Sequence, residues 1–268
     1  MIKLIAIDLD GTLLNPQKEV SEHTRDVLIQ AKEKGVRIVL CSGRPLPRIQ
    51  HSLDVLKLQG PDDYAITYNG GLVQNIGTGK ILYERTLTKQ DIKKLFDLSR
   101  LLNVPMNFLD LSTVYCPPYP SNRPSRYQEV IENVPFQNVD IDALPEDTKI
   151  NKVVYCIDQE ILDQAITQIP DDFYHHYNFM KSSPILLEMV HPEVDKSNGL
   201  RALGESLGIV PDEMMTLGDQ ENDLGMIRFA GMGIAMGNAI DPVKQASRFI
   251  TKTNAEDGVA FAVEKFIL

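Results

Sequence analysis

Two carboxylates stand one residue apart, directly after an apolar run at the start of the chain. The stretch MIKLIAI is typical of a buried strand, and it leads into Asp8, Leu9 and Asp10, followed by Gly11 and Thr12. Residues i and i+2 of an extended chain point to the same side, so both carboxylates should address one site. Like charges at this spacing raise one another's pKa unless a cation lies between them. The pattern therefore favours a cation site.

A second apolar run also ends in carboxylates. The stretch MTLGDQEND puts Asp219 and Asp223 after a predicted strand, and Asp219 is a candidate third ligand. Oxygen ligands without a nearby His or Cys are typical of Mg²⁺. Taken alone, each motif is equally well explained as a turn or a helix cap. Their combination predicts a Mg²⁺ site.

Two further segments are suited to binding an anion. SGRP follows another apolar run and offers the Ser42 hydroxyl and consecutive backbone N–H groups, which suit a phosphate oxygen. Lys196, in EVDKSNG, offers a fixed positive charge. Each signal is weak alone, because Ser-Gly is common in turns and most lysines are solvated.

The elements that must position these residues follow an α/β rhythm at both ends of the chain. Continuous apolar strands alternate with amphipathic helices, which predicts a Rossmann-like parallel sheet covered on both faces, with ligands bound beyond the carboxyl ends of its strands. The middle differs: it predicts a helix with a Thr88-x-x-Asp91 capping signature and several strands of antiparallel character, including DDFYHHYNFM. We therefore predict a discontinuous core, 1–82 and 190–268, around an α+β insert, 83–189.

Composition excludes several classes of partner. The formal net charge of −10 over 268 residues argues against sequence-independent binding to nucleic acid, which needs a basic surface. No apolar run approaches the roughly 20 residues of a membrane span. The three cysteines lack CxxC spacing and are expected to be buried thiols. We expect a cytoplasmic protein, a monomer or weak homo-oligomer, that acts on a small molecule.

The motifs carry a family resemblance. DLDGT, CSGR, a lone Lys before a helix and GDQEND, in that order, resemble the four motifs of the haloacid-dehalogenase-like phosphatases. The YNGG segment, the large insert and the stretch TNAEDGVAFAVEK are similar to the Cof-type branch, and within it to YidA-type sugar phosphatases. The resemblance covers essentially the whole chain.

The resemblance implies a role for each matching residue. Asp8 would be the nucleophile and a metal ligand, Asp10 the general acid and base with its carbonyl on the metal, and Asp219 a Mg²⁺ ligand. The implied phosphate-binding residues are Leu9, Ser42, Gly43, Lys196 and Asn222. The implied supporting residues are Thr12, which orients Asp10 or stabilises a turn, together with Arg44, Asn69 and Asp223. Ser197 departs from the pattern, since many relatives have Gly after the Lys.

The activity implied is Mg²⁺-dependent hydrolysis of small phosphorylated metabolites, with sugar phosphates expected, through an aspartyl-phosphate. A phosphomutase, a phosphatase of flavin or pyridoxal phosphates, and a non-enzymatic sugar-phosphate-binding regulator remain alternatives. The insert would be a cap, and Arg123, Arg126 and Tyr127 in its proline-rich loop are candidates for substrate contact, with solvated loop residues as the alternative.

Overall fold

The chain forms two compact units. The computed structural model describes residues 1–131 and 134–268. The first unit comprises Met1–Glu84 and Asp195–Leu268, and the second comprises Arg85–Val194. These bounds lie close to the predicted domain limits but do not coincide with them.

The strands and helices are numbered in chain order. The strands are β1 Leu4–Ile7, β2 Arg37–Cys41, β3 Tyr64–Thr67, β4 Leu72–Asn75, β5 Ile81–Glu84, β6 Leu87–Thr88, β7 Met106–Leu109, β8 Val114–Cys116, β9 Phe136–Asn138, β10 Lys149–Ile150, β11 Lys152–Cys156, β12 Asn178–Ser183, β13 Leu186–Val190, β14 Met214–Gly218, β15 Met232–Ala235 and β16 Phe249–Ile250. The α-helices are α1 Glu22–Glu33, α2 Gln50–Val55, α3 Lys89–Leu101, α4 Gln159–Ile166, α5 Asp171–His176, α6 Lys196–Leu207, α7 Leu224–Phe229, α8 Asp241–Ala246 and α9 Gly258–Phe266.

The first unit is built on one sheet with the strand order β16-β15-β14-β1-β2-β3-β4-β5. β1 lies in its centre and pairs in parallel with β14 on one side and β2 on the other. Alternate residues of β1 enter two different apolar clusters: Ile5 and Ile7 pack in one, Leu4 and Ala6 in the other. Both faces are therefore covered, which confirms the predicted parallel α/β fold and explains why these strands are apolar throughout.

One edge of this sheet departs from the prediction of a parallel sheet. β3, β4 and β5 are antiparallel neighbours, so the parallel sheet carries a hairpin-like extension. The chain reverses after β3 through Tyr68, Asn69 and Gly70, all at positive φ. The short segments LVQN and ILYE gave no separate strand signal, because each ends in polar residues and lacks the continuous apolar run of β1.

The second unit has a mainly antiparallel sheet with the order β12-β13-β11-β7-β8-β9. Its main apolar cluster joins Leu95 of α3, Phe108 of β7, Tyr155 of β11 and Leu162 of α4. The predicted cap of α3 is present, since Thr88 and Asp91 form a reciprocal capping box. The α+β character of the insert is as expected.

One strand prediction in this unit is wrong over part of its length. In DDFYHHYNFM, residues Asp171–His176 form the helix α5, and only the end of the segment belongs to β12. Pro170 precedes the helix. Acidic residues lie in its first turn and two histidines lie in its last turn, an order that interacts favourably with the helix dipole. The aromatic residues of the segment favour a strand and conflict with these helix signals.

Among the described residues, no helix is long and apolar enough to cross a membrane.

Candidate active site

The predicted site residues of the first unit gather at the carboxyl edge of its sheet. Ile7 of β1 lies beside Leu217 of β14 in the parallel register, so the chain segments that follow the two strands start side by side. One carboxylate oxygen from each of Asp8, Asp219 and Asp223 lies within 4.8 Å of the others. Two separate sequence motifs thus form one acidic cluster.

Lys196 lies at the centre of this cluster with no exposed surface. Its Nζ donates to Asp8 Oδ1 at 2.6 Å and to Asp223 Oδ1 at 2.7 Å. Burial alone lowers the pKa of a lysine, but the two carboxylates outweigh it and raise the pKa of Lys196 above its usual value. Lys196 is therefore a permanent cation, not a surface lysine.

The backbone around Lys196 accommodates Ser197 without difficulty. Lys196 is the first residue of α6, and Asp195 caps this helix by accepting a hydrogen bond from the Ser197 N–H at 2.7 Å. The Ser197 hydroxyl also donates to Asp195. The departure from Gly at this position thus adds a bond to the helix cap.

Asp223 uses both of its carboxylate oxygens within the protein. Oδ1 accepts from Lys196, and Oδ2 accepts from the backbone N–H groups of Asp219 and Gln220 at 2.8 and 3.0 Å. This pattern suits a residue that holds Lys196 and the turn after β14 in position.

Asp219 is held from two directions. Its Oδ1 accepts from the Thr12 hydroxyl at 3.0 Å and its Oδ2 from Gln220 Nε2 at 3.0 Å. The prediction that Thr12 orients Asp10 is therefore corrected: Thr12 joins the first loop to Asp219 instead. Gln220 was not among the predicted site residues, although its place directly after Asp219 in GDQEND was a signal for it.

Gly11 makes the close approach between these two segments possible. Its φ is +81°, and a Cβ added there would lie 2.4 Å from Asp219 Oδ2. Any side chain at this position would thus displace the carboxylate or the loop.

The charge balance of the cluster fits a divalent cation. Asp8, Asp219 and Asp223 carry three negative charges when ionised, and Lys196 supplies one positive charge, which leaves an excess of two negative charges. Burial, followed by the nearby charge of Asp223, raises the pKa of Asp8 to about 8, and burial also raises the pKa of Asp219. Asp8 Oδ2 accepts no hydrogen bond from the described residues. An oxygen-only donor set of this charge suits Mg²⁺.

Asp10 points to a different set of partners. Arg44 binds it with two hydrogen bonds, Nε to Oδ2 at 2.9 Å and Nη2 to Oδ1 at 2.6 Å, and Lys18 Nζ donates to Oδ1 at 3.0 Å. Partial burial raises the pKa of Asp10, but the two cations outweigh it and the net shift is downward. The Asp10 side chain is thus bound by two cations of the protein itself. Lys18 was missed, since an exposed lysine in a loop carries no distinguishing signal.

The residues predicted to bind phosphate lie on adjoining turns. The Asn69 N–H donates to the Ser42 carbonyl at 3.0 Å, and Asn222 Nδ2 donates to Asn69 Oδ1 at 3.0 Å. A Cβ on Gly43 would lie 2.9 Å from the Asn69 amide, so Gly43 allows this approach. The Leu9 side chain is buried in the core, which leaves its backbone for a ligand.

The three candidates in the second unit make contacts within that unit. Arg126 pairs with Glu129 and Asp158, each at 2.6 Å, and Arg123 Nη1 donates to the Asn103 carbonyl at 3.0 Å. Tyr127 is buried in a small apolar cluster, where it packs, and its role as a substrate contact stays a prediction. The arginines remain predictions.

Comparison with known proteins identifies close relatives over the full length. A family model described as haloacid dehalogenase-like hydrolase matches residues 5–263. The protein named "Putative phosphatase YxeH" of Bacillus subtilis (strain 168) is 44% identical over 100% of this chain and 99% of its own length. The 5-amino-6-(5-phospho-D-ribitylamino)uracil phosphatase YcsE of the same organism is 32% identical over 100% and 96%. A haloacid dehalogenase-like hydrolase from Bacteroides thetaiotaomicron has a similar structure, with a TM-score of 0.85, 34% identity and 99% of each chain covered.

Proposed function

Because this chain belongs to the haloacid dehalogenase-like hydrolase family and is a phosphatase of that family, we propose that it hydrolyses small phosphomonoesters with the help of Mg²⁺. The observation that carries the proposal is the buried cluster of Asp8, Lys196, Asp219 and Asp223, which has an excess of two negative charges when its carboxylates are ionised. We further propose that the unit Arg85–Val194 is the cap that selects the substrate.

Asp8 is the proposed nucleophile. Its carboxylate oxygen attacks phosphorus, the bond to the ester oxygen breaks, and an aspartyl-phosphate forms on Asp8. The leaving alkoxide takes a proton from Asp10. In the second step Asp10 removes a proton from a water molecule, this water attacks the phosphoaspartate, and inorganic phosphate is released.

Lys196 and the phosphate-binding turns act on charge and position. Lys196 offsets the charge of Asp8 and of the incoming phosphate, while Ser42 and the backbone of Leu9 and Gly43 hold the phosphoryl oxygens in line for attack. Asp8, Asp219 and the Asp10 carbonyl would hold a Mg²⁺ ion, which when bound would neutralise charge on the transferring phosphoryl group.

Asp10 must gain a proton before the first step, and its ion pairs oppose this. Arg44 and Lys18 stabilise the carboxylate form of Asp10. A phosphate dianion is a competing partner for both cations, so we propose that substrate binding draws them away. Release of Asp10 raises its pKa and allows it to act as the acid.

The proposed substrates are phosphate esters of polyhydroxylated carbon chains. Sugar phosphates belong to this class, and so does the substrate in the name of the relative YcsE, a phosphorylated ribityl compound. A sugar phosphate and a flavin precursor thus share the phosphorylated polyol and differ in what the cap would recognise. These are the two candidate substrate groups.

The test is phosphate release from a panel: hexose and pentose phosphates, a ribityl phosphate, flavin mononucleotide, pyridoxal phosphate and p-nitrophenyl phosphate. We expect steady release that stops in chelator, returns with Mg²⁺ and is suppressed by Ca²⁺, whose looser shell can take both oxygens of Asp8. Full turnover in excess chelator would refute the proposed requirement for Mg²⁺. Transfer of phosphate between sugar positions without net release would identify a mutase, and binding without turnover would identify a regulator.

A further inference from the structure

Two asparagines contact the loop that carries Asp10. The loop folds back on itself, with the Leu13 N–H donating to the Asp8 carbonyl at 3.1 Å. Its carbonyl groups also accept side-chain amides from elsewhere: Asn238 Nδ2 donates to the Gly11 carbonyl at 2.8 Å, and Asn254 Nδ2 to the Leu14 carbonyl at 2.8 Å. Neither asparagine belongs to the four phosphatase motifs described above, although Asn254 lies in the stretch TNAEDGVAFAVEK.

The segment that bears Asn238 is itself fixed to the turn after β14. The Met236 N–H donates to the Gly218 carbonyl at 3.0 Å, and the Ile240 N–H donates to the Asp219 carbonyl at 3.0 Å. A bridge of hydrogen bonds therefore runs from the backbone of Asp219, through residues 236–240, to the Asn238 amide and on to Gly11.

Asn254 extends the same bridge. Its backbone N–H donates to Asn238 Oδ1 at 2.9 Å, which orients the Asn238 amide so that its Nδ2 faces Gly11. The two asparagines thus connect the segments after β1, β15 and β16 at one edge of the sheet.

We propose that Asn238 and Asn254 are positioning residues that fix the Asp10 loop relative to Asp219 during phosphoryl transfer. The inference rests on the proposed function. The Gly11 peptide lies between Asp10 and Thr12, and Gly11 packs against the Asp219 carboxylate. A shift of the loop moves the proton donor and the cation site together. Misplacement by 1 Å lowers a rate by about a hundredfold.

The most specific change is Asn238→Asp. The variant keeps the oxygen that accepts from the Asn254 N–H, but it puts a carboxylate oxygen opposite the Gly11 carbonyl in place of a donor. We expect kcat for an alkyl phosphate to fall about 10- to 100-fold. The first step with p-nitrophenyl phosphate, measured as the initial burst of p-nitrophenol, should slow less, because its leaving group needs little protonation from Asp10. Asn238→Ala should give a smaller effect in the same direction, since Asn238 is exposed and water can replace the donor.

Asn15→Asp is the matched control. Asn15 directly follows the loop of residues 8–14. Its side chain accepts hydrogen bonds from the Gln17 and Glu19 N–H groups, and an aspartate can accept the same bonds. It adds the same charge and should keep the wild-type ratio of alkyl to aryl phosphate turnover. Asn254→Asp, which removes the donor to Leu14, gives an independent test should Asn238→Asp fail to fold.

The experiment measures the single-turnover rate of ester cleavage for both substrates, together with hydrogen–deuterium exchange of residues 8–14 in apo-protein. The expected result is a changed substrate ratio and faster exchange in the Asn238 and Asn254 variants, but not in Asn15→Asp. An equal loss for both substrates, or unchanged exchange in active variants, would overturn the positioning role. A wild-type protein that hydrolyses no phosphomonoester would instead overturn the proposed function.

Discussion

Replacement of Lys196 by Met should destabilise the first unit strongly. Methionine has a similar length, but it leaves Asp8 and Asp223 buried without their shared cation. Removal of one partner from a buried ion pair costs about 3–5 kcal/mol of unfolding free energy. At about 2–4 °C per kcal/mol, this corresponds to a fall of about 6–20 °C in the midpoint of thermal unfolding. Scanning calorimetry in chelator at pH 8 measures it.

The loss should depend on pH in a definite direction. Burial and the charge of Asp223 already raise the pKa of Asp8 to about 8. An acid whose pKa is higher in the folded state lowers stability as pH rises from its unfolded pKa to its folded pKa. Without Lys196, Asp8 keeps its proton to a still higher pH. The difference in stability between wild type and variant should therefore change little between pH 5 and pH 8 and grow as the pH rises above 8, where Asp8 is ionised in the wild type alone.

Two further variants test the reasoning. Lys80→Met removes an exposed lysine of the same unit and should change the midpoint little. Asp223→Asn in the Lys196→Met background removes one of the uncompensated carboxylates and should recover part of the loss. A loss as large in Lys80→Met, or a difference that grows at lower pH, would refute the electrostatic account.

Three other predictions concern the loop after β1 and the start of α3. With p-nitrophenyl phosphate, Asp10→Asn should release p-nitrophenol in a burst that approaches one equivalent per active site and then turn over slowly, because the second step lacks its base. Stopped-flow absorbance measures the burst. Normal turnover of a sugar phosphate by this variant would contradict the prediction. Gly11→Ala should abolish activity, because the added methyl group displaces Asp219. The control is Gly35→Ala, at φ +86° with nothing within 4 Å of the added Cβ, which should lower stability by about 1 kcal/mol and leave activity unchanged. Equal activity of the two variants would refute the steric argument. Partial burial raises the pKa of Asp91, but hydrogen bonds from Thr88 lower it by more, so the net shift is downward. The stability that Asp91 contributes should therefore be present above its unfolded pKa and disappear as the pH falls through its folded pKa. The free energy of urea unfolding should show this loss between pH 6 and pH 3 in wild type and much less in Asp91→Asn.

The fold was predictable where burial leaves a clear pattern. Strands covered on both faces are apolar throughout, so β1, β2, β3 and β14 were evident, and the polar residues at their ends marked the site edge. The cap of α3 depends on two side chains, Thr88 and Asp91, and was evident too. The strands β4 and β5 were not evident, because each mixes apolar with polar residues, and the helix α5 was not, because six residues are too few for a helical period to be recognised.

The sequence predicted which residues share the site better than it predicted the hydrogen bonds between them. Asp8, Lys196, Asp219 and Asp223 were expected to share a site, and the structure brings them together. Which side chain bonds to which depends on rotamers that no spacing encodes. Thr12 thus contacts Asp219 where Asp10 was the expected partner.

The pairing of β1 with β14 has a consequence for synthesis on the ribosome. Leu4 pairs with Met214, so the centre of the sheet stays open until the intervening chain has been made. The second unit, by contrast, is one continuous segment whose strands pair within it, and it can fold while the rest is still being translated. A nascent chain that stops between residues 197 and 218 carries Asp8 and Lys196 but lacks Asp219 and Asp223. The growing polypeptide therefore completes the buried carboxylate cluster only after translation passes Asp223.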